Sequence, residues 1–302
     1  MKTRNTSIFS HLIRALLMSA LFVTLSLAAS PAKAAAQFKL VRDYLIVTSV
    51  TVNGAGPYEF LLDTGSSTTL LTTEFAQQLG LRPLDRIELI TVTGSETVLR
   101  SRLSSLSLAS ARADELEVLI TDLRAIRALH PGLCGVVGQN FLSRFNYLLS
   151  YRDRRIEFEL NDEPVSELCG ERLPFELSEN RLLIKAQTTA SDRQFRLLLD
   201  SAAPGLILFT PIAPPDLVLN AQQTVTLGTD HGSTTAQQSR LRRLRLGSTV
   251  FADLPVTMTS VQSGAERIED GLLPTVLFDS IYINHRQHFV ILNPRRNFFP
   301  VR

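Results

Sequence analysis

An all-β fold built as two similar halves with minor helix is what this sequence predicts, and three observations carry that expectation. Apolar and polar residues alternate, or short apolar runs stand alone, over Ile46–Val52, Glu59–Leu62, Ile87–Val92, Glu117–Ile120 and Arg155–Leu160. Turn formers such as Asn53-Gly54 and Thr93-Gly94 bound these runs. The third observation is internal: the pattern repeats itself.

Tyr58-Glu-Phe-Leu-Leu-Asp63-Thr-Gly-Ser-Ser matches Gln194-Phe-Arg-Leu-Leu-Leu-Asp200-Ser-Ala-Ala, an offset of 137 between the aspartates. Thr93-Gly94-Ser95 matches His231-Gly232-Ser233, and Ser101-Arg102-Leu103 matches Ser239-Arg240-Leu241, both at offset 138. Gly135-Val-Val-Gly138 matches Gly271-Leu-Leu-Pro274 at offset 136. A nearly constant offset across separate blocks reads as two copies of one unit of roughly 135 residues.

Helix enters in two places. Thr73–Leu79 stops at Gly80, and a second short helix begins near Asn140, just after Gly138. A charged linker around Asn161–Arg172 carries Pro164, which places a boundary between residues 35–165 and 166–302. Pro211 to Pro215 marks a rigid loop in the second unit.

Residues 1–34 read as a secretory signal: a basic start, an apolar run Ala15–Ala28, and Ala32-Lys33-Ala34 as the cleavage pattern. The run is shorter than the roughly 20 residues of a spanning helix, so no stable membrane anchor is expected after cleavage. The expected location is periplasmic or secreted. That segment holds four of the 31 Lys and Arg and none of the 29 Asp and Glu, so the remainder carries net −2 where the whole chain carries +2. The basic balance belongs to the leader, and no nucleic-acid partner follows from it. Arg240-Leu-Arg-Arg-Leu-Arg245 reads as a strand with an exposed charged face. His285 and His288 read as solvated turn residues. Cys134 and Cys169 either pair in an oxidising compartment or, for Cys134, fill a core position. No Cys/His spacing suggests a metal, and no cofactor is expected.

Asp63 leaves an apolar strand into a tight turn, where Gly65 provides room and freedom of backbone angle and the Ser66 or Ser67 hydroxyl can hold the carboxylate. Thr64 can bond across to the partner loop. No Gly-x-Ser-x-Gly elbow accompanies the serines, so a serine hydrolase is not the reading.

Asp63-Thr-Gly-Ser-Ser after an apolar strand resembles the active-site motif of pepsin-like and retropepsin-like aspartic proteases. Ile90 to Ser95, with Thr93, Gly94 and Ser95 at its tip, resembles the family's flap, although Val92 stands near where pepsins carry tyrosine. Gly135 to Leu142 resembles the apolar-apolar-glycine motif and its following helix, and Tyr151 to Phe158 the closing strand pair. The resemblance implies two acid-protease β-barrel lobes, a peptide or protein substrate, action as a monomer, and a water activated between two aspartates that share one proton. Pepsin is the standard illustration of that effect.

The repeat hands the second aspartate's role to Asp200, with Ser201 where Thr64 stands. The pattern then departs: Ala202 replaces glycine, Ala203 replaces the Ser66 hydroxyl, and Pro274 replaces Gly138. A methyl at 202 would crowd or strain the turn. Three readings stay open: a single-chain endopeptidase on Asp63 and Asp200, a non-catalytic periplasmic peptide-binding module, or an Asp63–Asp63 dyad between two first lobes.

Overall fold

The computed structural model describes residues 35–90, 95–159, 170–188, 194–210, 217–229, 232–260 and 267–295. The leader, the linker before Gly170, flap residues Thr93 and Gly94, Cys169, His231 and the loop Pro211 to Pro215 lie outside them. Twenty strands fall among the described residues. The first ten are β1 (Ala35–Val41), β2 (Leu45–Val52), β3 (Ala55–Leu62), β4 (Thr69–Leu71), β5 (Asp85–Ile90), β6 (Ser95–Leu108), β7 (Ala111–Ile120), β8 (Leu133–Val137), β9 (Asn146–Ser150) and β10 (Arg155–Glu159). Then follow β11 (Arg172–Ser178), β12 (Arg181–Thr188), β13 (Gln194–Asp200), β14 (Leu206–Thr210), β15 (Leu217–Thr229), β16 (Gly232–Leu246), β17 (Thr249–Ser260), β18 (Gly271–Pro274), β19 (Phe278–Asn284) and β20 (Phe289–Pro294).

Each half closes a ring of six strands. In the first, β2 pairs with β3, β3 with β8, β8 with β4, β4 with β7, β7 with β6, and β6 returns to β2. In the second, β12, β13, β18, β14, β17 and β16 close in the same order and with the same directions. Closure leaves the ring no unpaired edge. β5 and β15 extend β6 and β16 as hairpins beyond each ring. A further antiparallel sheet, β1–β10–β9–β19–β20–β11, joins the halves, with Leu149 opposite Ile281 at its middle.

The apolar runs before the two aspartates do not alternate because both faces of β3 and β13 are covered. Phe60 and Leu62 face the main core while Leu61 packs with Leu45, Val47 and Val136. Likewise Leu197 and Leu199 face the core and Leu198 packs with Leu183, Ile207 and Leu272. Where one face meets water, alternation returns, as in β6, with Leu103, Leu106 and Leu108 buried and Arg102 and Ser104 exposed.

Helix α1 (Thr73–Gln78) forms where expected: the Thr72 hydroxyl accepts from the Phe75 amide at 3.2 Å, and Gly80 ends it at φ +65°. Helix α2 (Arg124–Leu129) was not expected; it is short and fully buries none of its residues, although Ile126 packs against the cluster of Leu45 and Leu61. Helix α3 (Gln139–Leu142) follows Gly138 as expected. Tyr151 sits in the turn after β9 rather than in the closing strand. His285 is a correction: it is buried, 6% exposed, between the rings of Tyr147 and Phe175. That burial lowers its pKa to about 4, with the His288 charge adding to the effect. Cys134 carries a free, half-buried thiol.

Gly135 and Gly271 mark where each ring crosses itself. A Cβ on Gly135 would lie 2.3 Å from the Leu70 carbonyl oxygen, and one on Gly271 2.2 Å from that of Ile207. Both obstacles are backbone and cannot swing aside. Gly271→Ala is therefore expected to cost roughly 1–3 kcal/mol by overpacking, read as a lower midpoint in urea with an unchanged slope; an unchanged midpoint would contradict the crossing.

Candidate active site

Asp63 and Asp200 stand at corresponding places in the two rings. The Asp63 amide donates to the Val137 carbonyl at 3.0 Å, continuing the parallel pairing of β3 with β8, and Asp200 ends the matching pairing of β13 with β18. Each carboxylate is then held by the turn that follows it. Gly65 N–H donates to Asp63 Oδ1 at 2.8 Å; Ala202 N–H and Ala203 N–H donate to Asp200 Oδ1 at 2.7 and 3.1 Å.

The two loops hold one another through hydroxyls. Thr64 Oγ1 donates to the Leu199 carbonyl at 2.7 Å and accepts from Ser201 N–H at 3.0 Å. In return Ser201 Oγ donates to the Leu62 carbonyl at 2.8 Å and accepts from Thr64 N–H at 2.9 Å. Both side chains are buried, so four backbone groups that would otherwise be orphaned are satisfied across the junction. Threonine and serine are interchangeable here because the job needs only one hydroxyl.

Three details of the loop chemistry differ from expectation. Gly65 does not adopt a left-handed backbone; glycine is required for space alone, since a Cβ there would fall 2.6 Å from Asp200 Cγ. The Ser66 hydroxyl does not hold the carboxylate but donates to the Thr68 carbonyl at 2.8 Å; the Ser66 amide is the group that acts on Asp63. Ala202 does not strain its turn, for it is not among the residues with positive φ. Its methyl packs against the first ring's cluster of Leu45, Val47, Leu61 and Val136.

The two carboxyls lie near enough to shift each other's titration. Burial raises the pKa of Asp63, while the Gly65 and Ser66 amides and the bond from Asp200 pull it back. Burial raises Asp200 much further, well above the usual carboxylate range, and the Asp63 charge adds to it. Exposure agrees in direction, since Asp200 is 8% exposed and Asp63 is partly accessible. The pair titrates as a unit, with the shared proton favouring Asp200.

Support behind the loops differs between the halves. Gln139 Nε2 donates to the Thr64 carbonyl at 3.1 Å, and its amide N–H donates to the Ser66 carbonyl at 2.8 Å. The corresponding residue of the second ring, Thr275, is too short for that reach and instead meets the Tyr151 hydroxyl at 2.5 Å, from the opposite half of the chain. Arg295 lies over the Tyr151 ring, 5.2 Å from its centroid. Sequence reasoning did not single out Tyr151 for this role, nor Tyr44, which burial and the charge of Asp200 push above the ordinary phenol value. Of the flap residues, Ser95 opens β6 opposite Ile90.

Residues 48–141 match the family model described as aspartyl protease, about a third of the chain and nearly all of the first ring. No curated protein matches. Solved structures do match, among them a retropepsin-like aspartic protease from Rickettsia conorii, 22% identical over 41% of this chain and 88% of that one, with a TM-score of 0.30. Over residues 48–141 the chain resembles the aspartyl proteases, and that match supports a protease-like function.

Two expectations follow. Ser201→Ala removes two bonds and orphans the Thr64 amide and the Leu62 carbonyl, at about 1–3 kcal/mol for each buried group; chemical denaturation would show it, and a neutral effect would contradict the exchange of hydroxyls. The second concerns pH. Because the folded pKa of Asp200 lies above its unfolded value, the stability tied to its proton is full below that unfolded value, about 3.9, and is lost as pH rises through the folded one. Asp200→Asn should therefore melt higher than wild type at pH 7, by roughly 2–4 °C for each kcal/mol relieved, with the gap closing towards pH 4. A lower melting point at pH 7 would contradict it.

Proposed function

We propose that the protein is an exported aspartic endopeptidase, acting as a single chain, that hydrolyses peptide bonds with a water activated between Asp63 and Asp200. The close pairing of these two carboxyls, each shifting the other's titration, carries this reading. Asp63, the more accessible and more readily ionised partner, takes a proton from the water as its oxygen adds to the scissile carbonyl carbon. Asp200, the partner that keeps its proton, delivers it to the carbonyl oxygen. The tetrahedral adduct then collapses: the C–N bond breaks, the nitrogen leaves with the proton gained by Asp63, and a hydroxyl proton returns to Asp200. Thr64 and Ser201 keep the two loops in register during these transfers, and Gly65 leaves room for the Asp200 carboxyl.

An extended peptide would lie between the rings and pair with backbone of the β5–β6 and β15–β16 hairpins. Export rests on the order of charge, apolar run and small residues in positions 1–34.

Cleavage of a mixed peptide library by wild type, Asp63→Asn and Asp200→Asn tests this at acidic and neutral pH. Loss of at least about a thousandfold in rate is expected in both variants, with wild-type activity fading once pH exceeds the raised value of the pair. Activity surviving Asp200→Asn would point to pairing of first rings between chains. Retention of peptide by wild type without cleavage would favour a non-catalytic peptide-binding module, the reading that alanine in place of glycine at 202 invites.

A further inference from the structure

The outer face of the second ring carries a cluster of cations that the matching face of the first ring lacks. Strand register makes the comparison position by position. Lys185 pairs with Arg196 between β12 and β13, as Ser49 pairs with Glu59 between β2 and β3. Gln187 pairs with Arg245 between β12 and β16, as Thr51 pairs with Ser107 between β2 and β6. The Phe175 amide donates to the His288 carbonyl as the Phe38 amide does to that of Arg154, which sets Arg172 opposite Ala35 in the comparison. Alanine, serine, glutamate and serine in one half are thus arginine, lysine, arginine and arginine in the other. The same pairing pattern forms with either set, so the fold does not require the four charges.

Three of the four, Arg172, Lys185 and Arg245, line one cavity of about 300 Å³, together with the carboxamides of Gln187 and Gln194 and an apolar floor from Leu173, Pro174 and Ile184. Arg196 stands beside it on β13 and is exposed. Arg172 is braced over the Phe289 ring, 4.7 Å from its centroid, and Arg245 donates to the Gln187 carboxamide. Both contacts hold a guanidinium without neutralising it. The cavity has one acidic liner, Glu171, and its carboxylate already accepts from the Ser248 amide and hydroxyl, each at 2.6 Å. Among the described residues none of the four cations has a carboxylate ion-pair partner. They are concentrated in a chain that, beyond position 34, carries net −2.

We propose that this cavity is an anion site, separate from Asp63 and Asp200, that takes the phosphate of a small phosphate ester. Arginine forks and a lysine point charge suit a tetrahedral dianion, which accepts several charge-assisted bonds at once. The two glutamines would serve the hydroxyls of the esterified alcohol, for which 300 Å³ leaves room beyond the phosphate itself. A soluble ester and a phospholipid headgroup present the same chemistry. The site goes beyond peptide hydrolysis and stands or falls without it.

The test uses the full chain, titrated calorimetrically with glycerol 3-phosphate and co-sedimented with phosphatidylcholine vesicles with or without phosphatidylglycerol. The informative variant is Lys185→Ser with Arg245→Ser, since serine occupies both places in the first ring. Saturable binding of glycerol 3-phosphate, weakened at least tenfold in this variant while melting temperature and peptide cleavage hold, supports a soluble ligand. Sedimentation only with phosphatidylglycerol, lost in the variant, supports the headgroup. Should the double variant not fold, Arg172→Ala, again the residue of the first half, is expected to weaken the same binding. No binding of either probe by wild type, or equal binding by a folded variant, overturns the proposal.

Discussion

Two carboxyl groups of like charge are held within hydrogen-bonding reach of each other, and the rest of the molecule is arranged so that they cannot part. Repulsion between Asp63 and Asp200 would be relieved by a small opening of the two rings. The reciprocal bonds of Thr64 and Ser201 resist that opening locally, and the six-stranded sheet centred on Leu149 and Ile281 resists it globally. The electrostatic cost is met by retaining one proton on the pair, which burial of both carboxyls favours. The property useful for chemistry is thus the one that opposes stability.

Near-symmetry makes the asymmetries informative. Gly65 must be glycine because the Asp200 carboxyl occupies the space above it, whereas the methyl of Ala202 finds a place in the first ring's apolar cluster. The departure from the family pattern at 202 is accommodated by packing, with both turn amides still on the carboxylate. Thr275 loses the long reach of Gln139, and Tyr151 meets it from across the junction. One half of the chain props the loop behind the other's aspartate, a dependence that neither half shows when read alone. The cationic outer face of the second ring is an asymmetry of another kind, since no carboxylate among the described residues pairs with its four charges.

Much of this was legible in the sequence because the repeating offset ties local patterns together. The strands before the aspartates were visible as uninterrupted apolar runs, and both helices next to the motifs had their own start or stop residues. What stayed hidden depends on contacts between distant residues. His285 looks like a turn residue in His-Arg-Gln-His, and only the rings of Tyr147 and Phe175 take it out of water. The Ser66 hydroxyl could be placed near Asp63 by spacing but not aimed, and it turns to Thr68 instead. Helix α2 is six residues long and buries none of them fully, too little pattern to read. The arginines of β16 were apparent, yet their convergence with Arg172 and Lys185 required strand register.

Carbon-13 titration of aspartate-labelled protein addresses the shared proton most directly. The account predicts two coupled steps for the Asp63 and Asp200 carboxyl carbons, the upper one well above the ordinary carboxylate range, and a single step for the remaining carboxyl when the other is replaced by asparagine. Independent titration of both groups near 3.9 would contradict it.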